Sequence, residues 1–356
     1  MAFESVVGQE RAQTIAEAWL RSGRIPHAIL LCGPEGTGKR RFALAFARAA
    51  LCRESADAAC GSCSSCRRVD GHIHPDLHFL LPLESKRGRK SSDPEAVRSA
   101  VRDYLDGGTL GGQNNIPIDQ LRQMQRDMSY ASSEGGRKIA VICAADRMHP
   151  AGANSLLKIL EEPSPETLFI LVSSVPERIL PTVLSRCQRL VMQPLSAQTL
   201  RAQLQAMNIA GPALELGVRL GGGSIERARQ VAMGEWDELR DQVENFISAG
   251  LGRRDEVYWD IVEELSGDRA AQEQFLLVSA LYLRDFFLLH HELDRCETMV
   301  DRRAYFEQFA GCLDESHIER AMLEVDRASE ALSRNASFQL ILSDVWRCLR
   351  HAGRAA

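Results

Sequence analysis

The feature that most constrains this chain is a single junction near its start. An apolar run, Ala28-Ile-Leu-Leu-Cys32, leads directly into Gly33-Pro-Glu-Gly-Thr-Gly38-Lys39, and this into the Ala-rich amphipathic stretch Arg40 to Leu51. Strand, glycine-rich turn and helix in that order form the context of a phosphate-binding loop. The glycines let the backbone turn its N–H groups toward an anion, the lysine reaches the outer phosphates, and the helix N-terminus adds partial positive charge. Such a junction calls for an α/β domain, a mainly parallel sheet covered by helices. Further apolar runs at Leu77 to Leu81, Ile139 to Ala144 and Leu168 to Ser173 read as strands, and Ala151 to Leu160 repeats apolar residues at helical spacing until Pro163 stops it.

Gly33, Gly36, Thr37, Gly38 and Lys39 are therefore candidate nucleotide contacts, but the hydrolytic half of the motif is missing. The position after the lysine should carry a Ser or Thr hydroxyl for Mg²⁺, and it carries Arg40, whose guanidinium cannot coordinate a cation. The acidic pair that should end a later strand is replaced by Cys143-Ala144-Ala145, with Asp146 beyond it. A solitary Asp there reads as a turn or cap residue. Hydrolysis is expected to be absent or very slow. ATP or ADP could still bind through Lys39 and the glycine backbone, or the loop could stand empty and serve packing.

Cys52, Cys60, Cys63 and Cys66 follow the phosphate-loop helix with spacing C-x7-C-x2-C-x2-C. Four thiolates suit tetrahedral Zn²⁺, closing a module too short for its own core. The same C-x2-C-x2-C opens some iron–sulfur motifs, but the Cys-Pro expected next is replaced by Asp70-Gly71. Metal-free reduced cysteines are the plainer alternative, and His72, His74 or His78 could stand in for one ligand. Cys296, Cys312 and Cys348 have no metal spacing and read as small buried residues.

Composition bounds the rest. With 43 Lys+Arg against 48 Asp+Glu the net charge is −5, which excludes a surface that is basic overall. The 356 residues suggest two or three domains, and 45% hydrophobic with 26% charged is an ordinary globular mixture. Met1 to Ser5 lacks a basic segment leading into an apolar one, and the apolar stretch Phe275 to Leu289 is broken by Arg284-Asp285. It falls short of the roughly 20 residues of a membrane span. A cytoplasmic protein without membrane association is expected. Glu84 to Gln113, with Lys86, Arg87, Arg89 and Lys90, reads as a solvated loop in preference to a phosphate patch. After Pro194 the strand pattern gives way to helices, and breaks near Pro194 and Gly234 divide the chain into 1–194, 195–234 and 235–356. Gln274 to Leu293 is apolar on nearly all sides and reads as a buried helix.

Taken together these residues resemble a family, the AAA+ subunits of DNA sliding-clamp loaders. The resemblance rests on Val7-Gly8-Gln9, His27-Ala28, the cysteine cluster, Asn154-Ser-Leu-Leu-Lys158 with Leu160-Glu-Glu-Pro163, and Ser185-Arg186-Cys187, in that order. It covers Phe3 to about Pro194 and extends more loosely through the helices. It implies an AAA+ α/β domain with a zinc module, a small helical lid, and a helical collar through which subunits associate; Ser333 to Ser343 resembles the last collar helix.

The ATPase members of the family have Asp-Glu where this chain has Cys143-Ala144, Ser or Thr at Arg40, and a lid arginine where Gly223-Ser-Ile-Glu-Arg227 puts Glu226, with Arg227 one residue off. The sensor strand ends in Ser173-Ser174. The Ser-Arg-Cys motif is intact, and the resemblance implies that Arg186 projects into the ATP site of a neighbouring subunit; its plain alternative is a surface arginine in a structural salt bridge. The implied role is a non-hydrolysing subunit of a replicative DNA polymerase holoenzyme, not an enzyme alone. Its implied partners are gamma/tau ATPase subunits, the ring-opening delta subunit, the beta sliding clamp indirectly, and primer-template DNA within the assembly. A self-sufficient gamma/tau-like ATPase and a zinc-bearing DNA-binding module are the rivals.

Overall fold

The computed structural model describes residues 3, 6–83, 94–105, 115–164, 166–291, 299–334 and 336–352. Lys86, Arg87, Arg89, Lys90, Cys296 and Asn335 lie outside the described residues. The chain divides into two compact units, residues 1–200 with 223–226, and residues 201–222 with 227–356.

The first unit is built on a five-stranded sheet, β1 (Ala28–Cys32), β2 (Leu77–Leu80), β3 (Lys138–Ile142), β4 (Thr167–Ser173) and β5 (Gln188–Val191), in spatial order β2-β3-β4-β1-β5. Every pairing is parallel, with Ile29 opposite both Ile170 and Gln188. β1, β3 and β4 are buried throughout, which is why they stand out as continuous apolar runs. Alternate residues of β1 enter different cores: Ile29 and Leu31 pack with Phe42 and Phe46 on one face, and Leu30 and Cys32 with Leu156 and Leu160 on the other. β1 thus lies between β4 and β5, and its carboxyl end delivers the phosphate loop.

Two elements depart from the sequence pattern. β5 was not expected, because only Leu190 among its residues is buried and no apolar run marks it. The segment Glu84 to Gln113, expected to be a solvated loop, contains the helix Pro94–Leu105, with Val101 and Tyr104 buried. Val97, Ala100, Val101, Tyr104 and Leu105 recur at helical spacing on one face of it, a short period masked by the Lys, Arg, Ser, Asp and Gly of the flanking segment.

The second unit is helical, and among the described residues no strand follows Val191. Its core gathers about Arg269–His290, which buries Phe275, Leu276, Val278, Tyr282, Leu283 and Phe286 against its neighbours, Glu315–Ser333 foremost. Cys312 and Cys348 are half-buried at the rim of this core, short of the burial expected of them. Among the described residues no helix is long and apolar enough to cross a membrane.

Candidate functional site

The phosphate loop has the expected backbone but is occupied by its own side chains. Lys39 opens the helix Lys39–Leu51, is buried, and donates from Nζ to the carbonyls of Gly33 and Pro34, both at 2.6 Å. Burial pushes its ammonium down to about 8, against the pull of Glu35 and Asp146. Thr37 Oγ1 donates to the Pro34 carbonyl at 2.9 Å. Two glycines are required by contact as well as by backbone angle. A Cβ on Gly33 (φ 141°) would lie 2.2 Å from the Met192 carbonyl oxygen, and one on Gly36 (φ 75°) would lie 1.7 Å from Ser224 Oγ.

Gln9 secures the loop from the other side. Its Nε2 donates to the carbonyls of Thr37 at 3.1 Å and Gln193 at 2.6 Å, while its Oε1 accepts from the Gln193 N–H at 2.8 Å. The Val7-Gly8-Gln9 signature therefore has a physical role that its sequence did not disclose: the buried Gln9 amide ties the phosphate loop to the segment leaving β5.

The position of the missing Mg²⁺ hydroxyl is structurally committed. Arg40 places its guanidinium 3.8 Å from the Tyr104 ring centroid, donates from Nη1 to the Tyr104 carbonyl at 2.9 Å, and lies 3.9 Å from Glu35. Tyr104 belongs to the unexpected helix, so no local sequence signal could have revealed it. Cys143, where the resemblance to clamp-loader ATPases implies an acid, is buried and its thiol is pushed up to about 12 by burial. Asp146 accepts from Ser173 Oγ at 2.6 Å, and Ser173 Oγ accepts from the Val175 N–H at 3.0 Å. Asp146 lies in the 3-10 turn Ala145–Arg147, a turn residue as expected, and its carboxylate also ties that turn to the end of β4. Glu226 and Arg227 occupy the first turn of the helix Ile225–Ala232.

Arg186 lies in the turn between the short helix Pro181–Leu184 and β5, with a third of its side chain exposed. Nη2 donates to Glu161 Oε1 at 2.6 Å, and Nη1 donates to the Thr182 carbonyl at 2.8 Å and Ser185 Oγ at 3.3 Å. Two signature segments distant in sequence, Leu160-Glu-Glu-Pro163 and Ser185-Arg-Cys187, meet in this ion pair.

Cys52, Cys60, Cys63 and Cys66 converge, with their four Sγ atoms all within 4.8 Å of one another. Four sulfurs about 2.3 Å from a tetrahedral ion lie about 3.8 Å apart, and Cys60 and Cys66 are at 4.0 Å. Backbone N–H groups point at the sulfurs, from Cys63 to Cys60 at 3.3 Å, Cys66 to Cys63 at 3.4 Å and Cys60 to Cys52 at 3.4 Å, an arrangement that favours thiolates. The cluster could hold a metal ion. Histidine does not replace a cysteine there. Ser65 Oγ donates to the Leu51 carbonyl at 2.7 Å, so His74 Nε2 must donate to Ser65 Oγ at 2.9 Å, while His74 Nδ1 accepts from the Asp76 N–H at 3.1 Å. Both ring nitrogens are engaged, and burial lowers the ring's pKa. Glu134, unremarked in the sequence, pairs with Arg68 and lies 3.2 Å from Arg53, tying the cysteine module to the turn before β3.

Comparison with known proteins gives the family. The family model described as DNA polymerase III, delta subunit, matches residues 8–196, more than half of the chain. The DNA polymerase III subunit delta' of Bacillus subtilis is 31% identical over 202 residues, covering 57% of this chain and 53% of the relative. That of Pseudomonas aeruginosa is 34% identical over 220 residues, covering 61% and 59%. The chain thus spans little more than half the length of these relatives. The Escherichia coli subunit delta' is 25% identical over 335 residues, covering 93% of this chain and 91% of its own. The chain belongs to the DNA polymerase III delta-subunit family, in the company of its delta-prime members.

Proposed function

We propose that this chain is a non-hydrolysing delta-prime subunit of a DNA polymerase III clamp loader, supplying Arg186 in trans to the ATP site of a gamma/tau neighbour. One observation carries the reading. The positions that would carry the Mg²⁺ hydroxyl and an acid for hydrolysis in cis hold residues committed elsewhere, Arg40 to Tyr104 and Cys143 to the core, whereas the Arg186 guanidinium is held by Thr182 and Glu161 and stays partly exposed. On this reading ATP binding in the neighbours drives opening of the beta clamp by the delta subunit, and hydrolysis after primer-template DNA enters releases it. The chain would work in the cytoplasm as three parts, an AAA+ domain over 1–194, a helical lid over 195–234 and a helical collar over 235–356. Cys52, Cys60, Cys63 and Cys66 would hold a structural Zn²⁺. Lys39 and the backbone of Gly33, Gly36, Thr37 and Gly38 could receive ATP or ADP once Lys39 exchanges its carbonyl partners for phosphate oxygens.

A guanidinium at a γ-phosphate is worth about 10³ to 10⁵ in rate. In a ring reconstituted with gamma/tau and delta subunits, Arg186→Ala should preserve complex size and lower DNA-stimulated ATP turnover at the site it serves by that order. Unchanged turnover would refute the proposal. Turnover by the isolated chain would instead favour a gamma/tau-like ATPase.

A further inference from the structure

We infer that Glu161 is the positioning residue for Arg186, holding the guanidinium in the orientation in which a neighbouring phosphate would meet it. The inference rests on the proposed trans role of Arg186 and deepens it. Glu161 ends the helix Pro150–Glu161, where unpaired carbonyls already concentrate partial negative charge and a carboxylate is electrostatically misplaced unless a cation covers it. Arg186 supplies that cation, with Nη2 2.6 Å from Glu161 Oε1.

The rest of the anchorage is local to the turn. Nη1 is taken by the Thr182 carbonyl and Ser185 Oγ, and the turn itself is closed by the Arg186 N–H donating to Val183 at 3.1 Å and the Cys187 N–H donating to Leu184 at 3.2 Å. A guanidinium has five N–H donors. Three are used among the described residues, which leaves two for an external anion while the plane of the group is fixed by contacts on two sides. Glu161 is half exposed, and an exposed pair of this kind adds little to folding. Its main consequence is therefore geometric: without Glu161, Nη2 loses its only side-chain acceptor among these contacts and the head of the arginine turns about its stem.

Misplacement of a reacting group by about 1 Å can lower a rate about a hundredfold. The reconstituted ring separates the possibilities when Glu161→Ala, Glu161→Gln and Arg186→Ala are compared for assembly by size-exclusion chromatography and for kcat and KM of ATP turnover. Glu161→Ala should assemble normally, keep KM, and lower kcat about tenfold, less than Arg186→Ala does. Glu161→Gln, which still accepts a hydrogen bond, should recover most of the loss. A wild-type or raised kcat in Glu161→Ala beside a defective Arg186→Ala would overturn the positioning role. Loss of assembly in both Glu161 variants would also overturn it and make Glu161 an interface contact. An inert Arg186→Ala would instead overturn the function on which the inference rests.

Discussion

A buried ammonium that donates to the Gly33 and Pro34 carbonyls is poised between two uses, stapling its own loop or meeting a phosphate. Its electrostatics make the state testable. The unfolded lysine titrates near 10.5 and the folded one near about 8, because burial disfavours the charge. Between those values the unfolded chain holds a proton that the folded chain has released, so stability rises with pH across that window; below about pH 8 the desolvation penalty is present in full. In ligand-free protein, denaturant unfolding at pH 7 and pH 10 should show the wild type gaining stability relative to Lys39→Met. A pH-independent difference between the two would rule out the depressed pKa. If the loop takes a nucleotide, its affinity should weaken above about pH 8 as the ammonium is lost.

At the level of elements, the cysteine module shows how a short insertion is built into a sheet. Its cysteine cluster is joined to the edge of the sheet by Glu134, which takes Arg53 and Arg68 of the module, and by Asp76, whose carboxylate accepts from the N–H groups of Ser133 at 2.8 Å and Glu134 at 3.1 Å. Elemental analysis should find about one zinc per chain. Stripping it with a chelator should deprotect residues 52–76 and the 132–136 turn in hydrogen exchange while β1 and β4 stay protected, since metal binding supplies the folding energy of so small a module. Equal protection with and without metal would exclude a structural role. The cluster was legible in the sequence because its cysteines are close along the chain, and β1 and β4 were legible because burial on both faces gives unbroken apolar runs. β5 offered one buried residue, and the helix Pro94–Leu105 was obscured by its charged face. The pairings that fix the candidate sites, Arg40 with Tyr104 and Arg186 with Glu161, join residues whose proximity only the tertiary fold decides.

For the molecule as a whole, the net charge of −5 bears on how a replication subunit could meet DNA. Association with duplex is dominated by neutralised phosphates and released counterions, and a chain with more acids than bases has no uniform field to drive it. Positive charge confined to one face could still contribute once several subunits aligned such faces around a duplex, because the potential of a concave, shared surface adds where that of an isolated convex one is screened within about 8 Å at physiological salt. The isolated chain should therefore bind primer-template DNA no more tightly than the ~10⁻⁴ to 10⁻⁶ M of non-specific association. In a fluorescence anisotropy salt titration, the reconstituted ring should bind more tightly and lose affinity more steeply with salt than the chain alone. Tight, steeply salt-dependent binding by the chain alone would favour the zinc-bearing DNA-binding module, and would place the contact on this chain instead of on the assembled ring.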